Sequence, residues 1–285
     1  MTIERRAGVV PERCGAGALT FALLALAAGP AAAQVPDLVS TSDLRICADP
    51  HELPFSNDKQ EGFENKIADL IGKDIGRPVS YVWFPQTSGF VRNTLRKDQC
   101  DLVMGAVSGD DVMETTNPYY HTGYLLVTKS DAGIAATEIG DPSLADKKIG
   151  IVAATPPTGL LIKHDLMANV TSYSLVVDTR YESPPRQMLQ DIVDGKIDVG
   201  ILWGPIAGYY IKHDHLPLKA AFLSPEGGER LDFHIAMGVR SNEAEWRRRI
   251  NQAIDRHRDE IDKILDEYGI PRLDEQNHPV QPPAP

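Results

Sequence analysis

The sequence is poor in cysteine, with three in 285 residues and no Cys-x-x-Cys pair. That excludes a covalently attached haem, which needs Cys-x-x-Cys-His, and the dithiol of a redox or zinc site. Gly-x-Ser-x-Gly is also missing, and no cluster of His, Cys, Asp or Glu has metal-ligand spacing. No nucleophile, base or metal centre is therefore indicated. Basic charge is short as well: 29 Lys and Arg stand against 40 Asp and Glu, for a net charge of −11. A chain of that sign is a poor partner for nucleic acid or an anionic membrane. Long apolar runs are lacking too. The run Ala16 to Ala28 is too short to cross a bilayer.

What that run does fit is a targeting segment. Arg5, Arg6 and Arg13 give it a positive start, and Ala31-Ala32-Ala33 is a small-residue cleavage site. Residues 1–33 are expected to be a signal peptide, with the mature chain beginning at Gln34 in the periplasm. Their removal takes away three arginines and two glutamates and moves the net charge from −11 to −12. Cys14 leaves with them, so Cys47 and Cys100 are the only cysteines of the mature chain. Two cysteines in an oxidising compartment are expected to pair. The register leaves that open, since Cys47 sits late in its strand and Cys100 begins the next.

The chain alternates strand and helix signals. Leu44–Ala48 reads as a short buried strand that Pro50 and Pro54 bring to a stop. Phe63, Ile67, Leu70, Ile71 and Ile75 then recur at helical spacing, ended by Gly76. Val79–Phe84 is a second strand, Ser88 caps a helix over 89–97, and Asp101–Gly105 is a third strand. Tyr119–Thr128 is longer, and the polar stretch 129–140 after it reads as a connector. A second series follows: strand 148–153, helix 159–168, strand 173–177, a helix carrying Met188, Leu189, Ile192 and Val193, and strand 197–202. Leu231–Arg240 reads as a strand returning to the first series. Asn242 and Glu245 form a capping box for one long helix with Trp246, Ile250, Ala253, Ile254, His257, Ile261 and Leu265 inward.

The pattern predicts an α/β fold of two lobes, each a mostly parallel sheet flanked by helices, with a cleft between them. Lobe one is 42–128 plus 229–270, lobe two is the inserted 129–228, and 271–285 is a disordered tail. Two crossings between lobes make a hinge, and the cleft is the natural ligand site.

Several motifs in this order resemble those of type II periplasmic solute-binding proteins. They are Gly62-Phe63-Glu64-Asn65, Cys100-Asp101-Leu102-Val103-Met104-Gly105, Pro118-Tyr119-Tyr120 and Gly195-Lys196-Ile197-Asp198-Val199-Gly200. The resemblance covers residues 42–270. Cys-Ala-Asp-Pro-x-x-Leu-Pro-Phe-Ser-Asn (47–57), Gly-Phe-Val-Arg-Asn-Thr-Leu (89–95), Thr-Pro-Pro (155–157), Trp-Gly-Pro-Ile-Ala-Gly-Tyr (203–209) and Met-Gly-Val-Arg (237–240) are similar to a narrower group. This group is the XoxJ/MxaJ type, the binding-protein-like partners of quinoprotein methanol dehydrogenases.

That resemblance implies a non-catalytic accessory factor that assists or activates a PQQ-dependent methanol or alcohol dehydrogenase. Its partners would be that enzyme and the enzyme's cytochrome c. It implies no cofactor, metal or catalytic residue of the chain's own. The alternative is the substrate-binding component of an ABC transporter for a small non-amino-acid solute. A periplasmic dehydratase on this fold would need an anchoring arginine that is absent.

Amino-acid binders of the wider family hold the ligand carboxylate with an arginine about nine residues before Pro-Tyr-Tyr, where this chain has Gly109 amid Asp110, Asp111 and Glu114. The aspartate that holds the ammonium is here Trp203. Without that arginine a carboxylate cannot be gripped bidentately. The residues left for the cleft are His51, Phe55, Asn57, Trp83, Tyr119, Tyr120, Thr155 and Trp203, and they face either a small molecule or a segment of the partner.

Overall fold

A computed structural model describes residues 38–281. The expected signal peptide, the first residues after it and the last four residues of the expected tail lie outside the described residues. Among the described residues no helix is long and apolar enough to cross a membrane.

The first lobe starts from β1 (Leu44–Ala48), followed by a hairpin of β2 (His51–Glu52) and β3 (Ser56–Asn57) and then α1 (Phe63–Asp74). Phe63, Ile67 and Ile71 of α1 lie at helical spacing and are fully buried, which fixes the face it turns to the sheet. Gly76, at φ +70°, takes the left-handed position that ends the helix. β4 (Val79–Trp83) and, after the short α2 (Phe90–Asn93), β5 (Leu102–Val107) flank β1 in parallel.

β6 (Glu114–Thr115) leads to β7 (Tyr120–Lys129), the strand that joins the lobes. Its first half, Tyr120–Gly123, pairs with β12 (Asp232–Val239), which in turn pairs with β5. Its second half, Leu125–Thr128, pairs with β10 (Val199–Trp203) and on its other edge with β11 (Leu218–Phe222). The partner changes around Gly123, where a Cβ would stand 2.7 Å from the Leu231 carbonyl.

The second lobe is a βαβ series: β8 (Ile149–Val152), α3 (Pro157–Lys163), β9 (Val170–Tyr173), α4 (Pro184–Val193), β10 and α5 (Gly204–His213). β8 lies parallel to both β9 and β10. After β12 the chain closes the first lobe with α6 (Ala244–Arg256) and α7 (Arg258–Glu267).

Each lobe has its own apolar core. One cluster joins Leu44, Ile46, Phe63 and Ile67 to Met237, Trp246, Ile250 and Leu265. Two others, on opposite faces of the second sheet, hold Leu126, Ile149, Ile151 and Leu160 on one side and Val127, Met188, Leu189 and Leu202 on the other. Separate cores on the two halves of one shared strand, β7, make this the two-lobed binding-protein fold.

Asp101, fully buried, ties the first lobe together and explains the Cys-Asp-Leu motif. It accepts from Arg45 Nη2 at 2.6 Å and Nε at 2.7 Å, and from Arg240 Nη2 at 2.7 Å, while its carbonyl accepts from Trp246 Nε1 at 2.9 Å. Next to it Cys47 and Cys100 form a disulfide, with Cα atoms 5.5 Å apart, inside a small cluster with Phe90 and Leu95.

Several local expectations are corrected. The helix expected over 89–97 is a single turn followed by a 3₁₀ turn, Leu95–Lys97. It starts from Gly89 at φ +94°, not from a Ser88 cap. The helix expected over 159–168, with Thr155-Pro156-Pro157-Thr158 as its start, does begin within that start, at Pro157, but ends early at Lys163, where His164 and Asp165 close it. The strand expected at 173–177 is Val170–Tyr173. As an edge strand it needs few apolar residues, and Leu175 and Val176 fall beyond it, exposed. The last helix is two: the chain breaks at His257, whose Nε2 pairs with Asp74 on α1 at 3.0 Å, and this lets both halves pack on α1. Asn242 has φ +72° and caps nothing. Residues 271–274 of the expected tail pack on the body, where Leu273 N donates to the His121 carbonyl at 2.9 Å and the Leu273 side chain is buried, whereas 275–281 are exposed.

Candidate functional site

A cleft of about 950 Å³ lies where the C-terminal ends of the first lobe's strands face those of the second. One wall is the β2–β3 hairpin, the end of β5 and the start of α1. The other is the loop after β8, the segment 174–185, the end of β10 and α5. The lobes touch across it where the Tyr210 hydroxyl donates to the Leu53 carbonyl, 3.5 Å away.

The hairpin is held rigidly. Asp49, 3% exposed, accepts from His51 N at 2.8 Å and from Gln86 N at 2.7 Å. Asn65 Oδ1 accepts from Gly62 N at 3.0 Å and Asn57 N at 3.2 Å, and the Asn57 side chain bonds Glu61. The first amides of α1 are taken by the loop itself, Phe63 N by the Pro54 carbonyl and Glu64 N by that of Phe55. This helix end is therefore closed and offers no donors to an anion. Gly62 is required here: a Cβ would stand 2.0 Å from the Phe55 oxygen.

Of the eight residues expected in the cleft, His51, Phe55, Asn57, Tyr120, Thr155 and Trp203 line it. Trp83 does not. It lies opposite Ala48 in the β1–β4 pairing and stacks on Tyr81 with ring centres 4.5 Å apart. Tyr119 does not either. Its hydroxyl donates to the Met104 carbonyl at 3.0 Å and its ring is 1% exposed, because neighbouring residues alternate faces. His51 is an exposed rim residue whose backbone N–H donates to Asp49, and Thr155 Oγ1 donates to the Val152 carbonyl at 2.7 Å. The cleft's aromatic wall runs from Tyr124 to Trp203 to Phe233, with ring centres 5.3 Å and 5.8 Å apart. Tyr124 and Phe233 escaped the sequence reading, as neither belongs to a motif.

So did two carboxyls. Glu64 is 6% exposed and lines the cleft, with Oε1 lying over Gly105 where a Cβ would stand 2.6 Å away. Burial pushes its carboxyl up to about 8. Glu52 also lines the cleft, and its Oε2 is enclosed and without a hydrogen-bond partner. Burial, and then the charges of Asp49 and Glu64, push it up to about 8 as well. Both are largely protonated at neutral pH. Burial also holds the Tyr120 hydroxyl well above its usual range.

Among the described residues no group of three or more His, Cys, Asp or Glu is placed to hold a metal ion. Gly109, at the family's arginine position, lies in an exposed turn at φ +80°. The cationic side chains on the lining are Lys59 and Arg180, and Arg180 is engaged by Asp178 at 2.6 and 2.8 Å.

The model of bacterial extracellular solute-binding proteins, family 3, matches residues 44–270. The chain belongs to that family. The protein MoxJ of Methylorubrum extorquens is 30% identical over 292 residues, 91% of this chain and 95% of that protein. The crystal structure of the periplasmic binding protein XoxJ from Methylobacterium extorquens AM1 superposes with a TM-score of 0.70 at 36% identity, over 81% of this chain and all of that one. That of MxaJ from Methlophaga aminisulfidivorans MPT gives 0.71 at 30% identity with the same coverage. In this family 3 solute-binding protein Gly109 and Trp203 stand at the two clamp positions, and the cleft is lined instead by aromatic rings and two buried carboxyls.

Proposed function

We propose that the chain is a periplasmic accessory protein, exported through a cleaved signal peptide, that assists or activates a PQQ-dependent methanol or alcohol dehydrogenase. It performs no catalysis itself, and the enzyme's cytochrome c is a further partner. Similarity to MoxJ, XoxJ and MxaJ over nearly the whole chain supports this reading, as do the motifs at 47–57, 89–95 and 203–209.

The observation that carries it is the rim of the cleft. Leu175, Val176 and Tyr181 are 56, 74 and 80% exposed on the segment that walls the site. An apolar rim continuous with an aromatic cleft is a surface for a protein segment, which would cover both, more than for a solute enclosed below the rim. The lining supplies no activated nucleophile, and its two buried carboxyls, Glu52 and Glu64, are mostly neutral.

Co-purification tests the reading. The tagged chain is expected to recover a PQQ dehydrogenase from periplasmic extract of methanol-grown cells, and the double variant Val176→Asp, Tyr181→Ala is expected to lose it. Equal recovery by the variant, or no dehydrogenase with the parent chain, would overturn it.

A further inference from the structure

We propose that Glu52 and Glu64 form a subsite for a primary ammonium at the floor of the cleft. Both carboxyls are short of partners. Glu64 is more than nine-tenths buried, and burial alone, with no hydrogen bond to offset it, acts on its carboxyl. Glu52 Oε2 is enclosed with no donor. Buried carboxyls in finished cores are satisfied by donors, so two unsatisfied ones facing a cavity point to donors that arrive with a guest. Gly105 leaves the space in which the Glu64 oxygen sits. The Tyr120 and Trp203 rings on the same lining offer π faces to a cation and its alkyl stem, while Arg230 already lies over the Phe233 ring at 5.1 Å.

Other charged groups near the pair leave the inference standing. Asp49, facing Glu52, adds negative potential and is already held by two backbone amides. Tyr120 faces Glu64 and stays neutral. His51, Asp58 and Lys59 on the hairpin side and Arg180 and Glu182 opposite are exposed at the rim. The ammonium reaches the site either on a small amine or as a lysine of a protein segment. The inference rests on the cleft being a guest site, as proposed above. Its test uses purified chain alone, so its failure is distinct from failure to recover a dehydrogenase.

The test is calorimetric titration of the full mature chain with hexylammonium, with 1-hexanol as neutral control and acetyl-Ala-Lys-Ala-amide as the protein-like source. Hexylammonium is expected to bind at least tenfold tighter than hexanol at pH 8. At pH 7 its binding should release a proton to the buffer, read from the dependence of heat on buffer ionisation enthalpy. With carboxyls near 8, affinity should rise about 100-fold from pH 6 to pH 9, where the amine remains charged. Glu52→Gln, Glu64→Gln mimics the protonated pair and should abolish both the preference and the pH dependence. Tighter binding of the peptide assigns the cation to a protein segment, and tighter binding of the free amine assigns it to a solute. Hexanol binding as well as hexylammonium, binding without proton release, or no binding of either cation would overturn the proposal.

Discussion

Replacing Glu64 by glutamine changes stability in a direction that depends on pH. In the unfolded chain a glutamate ionises near 4.5, whereas in the fold Glu64 holds its proton to about 8. Between those values the folded state binds more protons than the unfolded state, so stability falls as pH rises. Linkage over pH 5 to 8 gives a loss of about 3 kcal/mol from this one group. Glutamine has no proton to keep and nearly the same shape as the protonated acid. Glu64→Gln should therefore be close to the parent in stability at pH 5 and more stable by about 3 kcal/mol at pH 8. Urea unfolding of both proteins at pH 5, 6, 7 and 8, with the disulfide intact, measures this directly. Parallel stability curves would refute the assignment of Glu64 as a buried neutral acid, and a variant less stable than the parent at pH 8 would reverse its sign.

Three further substitutions test the scaffold. Asp101→Asn leaves the Arg45 and Arg240 guanidiniums facing a neutral amide and should cost about 3 kcal/mol in urea unfolding. Gly62→Ala drives a methyl against the Phe55 carbonyl 2.0 Å away, although the backbone angles suit any residue; it should cost about 3 kcal/mol or more and lower the melting temperature accordingly. Cys47→Ala with Cys100→Ala opens a link across 53 residues, and the loop-entropy relation gives a loss of about 4 kcal/mol, read by calorimetry against the oxidised parent.

Much of this architecture is legible in the sequence because local chemistry and global fold agree. Phe63, Ile67 and Ile71 show helical spacing and are buried together, Gly76 ends its helix at positive φ, and the apolar strand 231–240 pairs with β5 of the first lobe. Errors arose where tertiary contacts override local pattern. Leu175 and Val176 look like strand but sit on the rim, because edge strand β9 is satisfied by Val170–Tyr173 paired with β8. The break at His257 answers to Asp74, far away in sequence.

The cleft was less legible than the fold. Trp83 is aromatic and at a strand end, yet which face it takes depends on its pairing with Ala48. Glu64 lay in plain view in Gly-Phe-Glu-Asn, where it reads as an ordinary first-turn acid of α1. Only the burial imposed by the opposing hairpin and Gly105 makes it unusual.

On the function proposed above, the cleft and its rim engage a PQQ-dependent methanol dehydrogenase. The most direct measurement is binding of purified mature chain to that purified enzyme immobilised on a sensor surface, beside the variant Trp203→Ala, Phe233→Ala. The account predicts saturable binding by the parent chain and at least tenfold weaker binding by the variant. Absence of binding, or equal binding by the two, would contradict it.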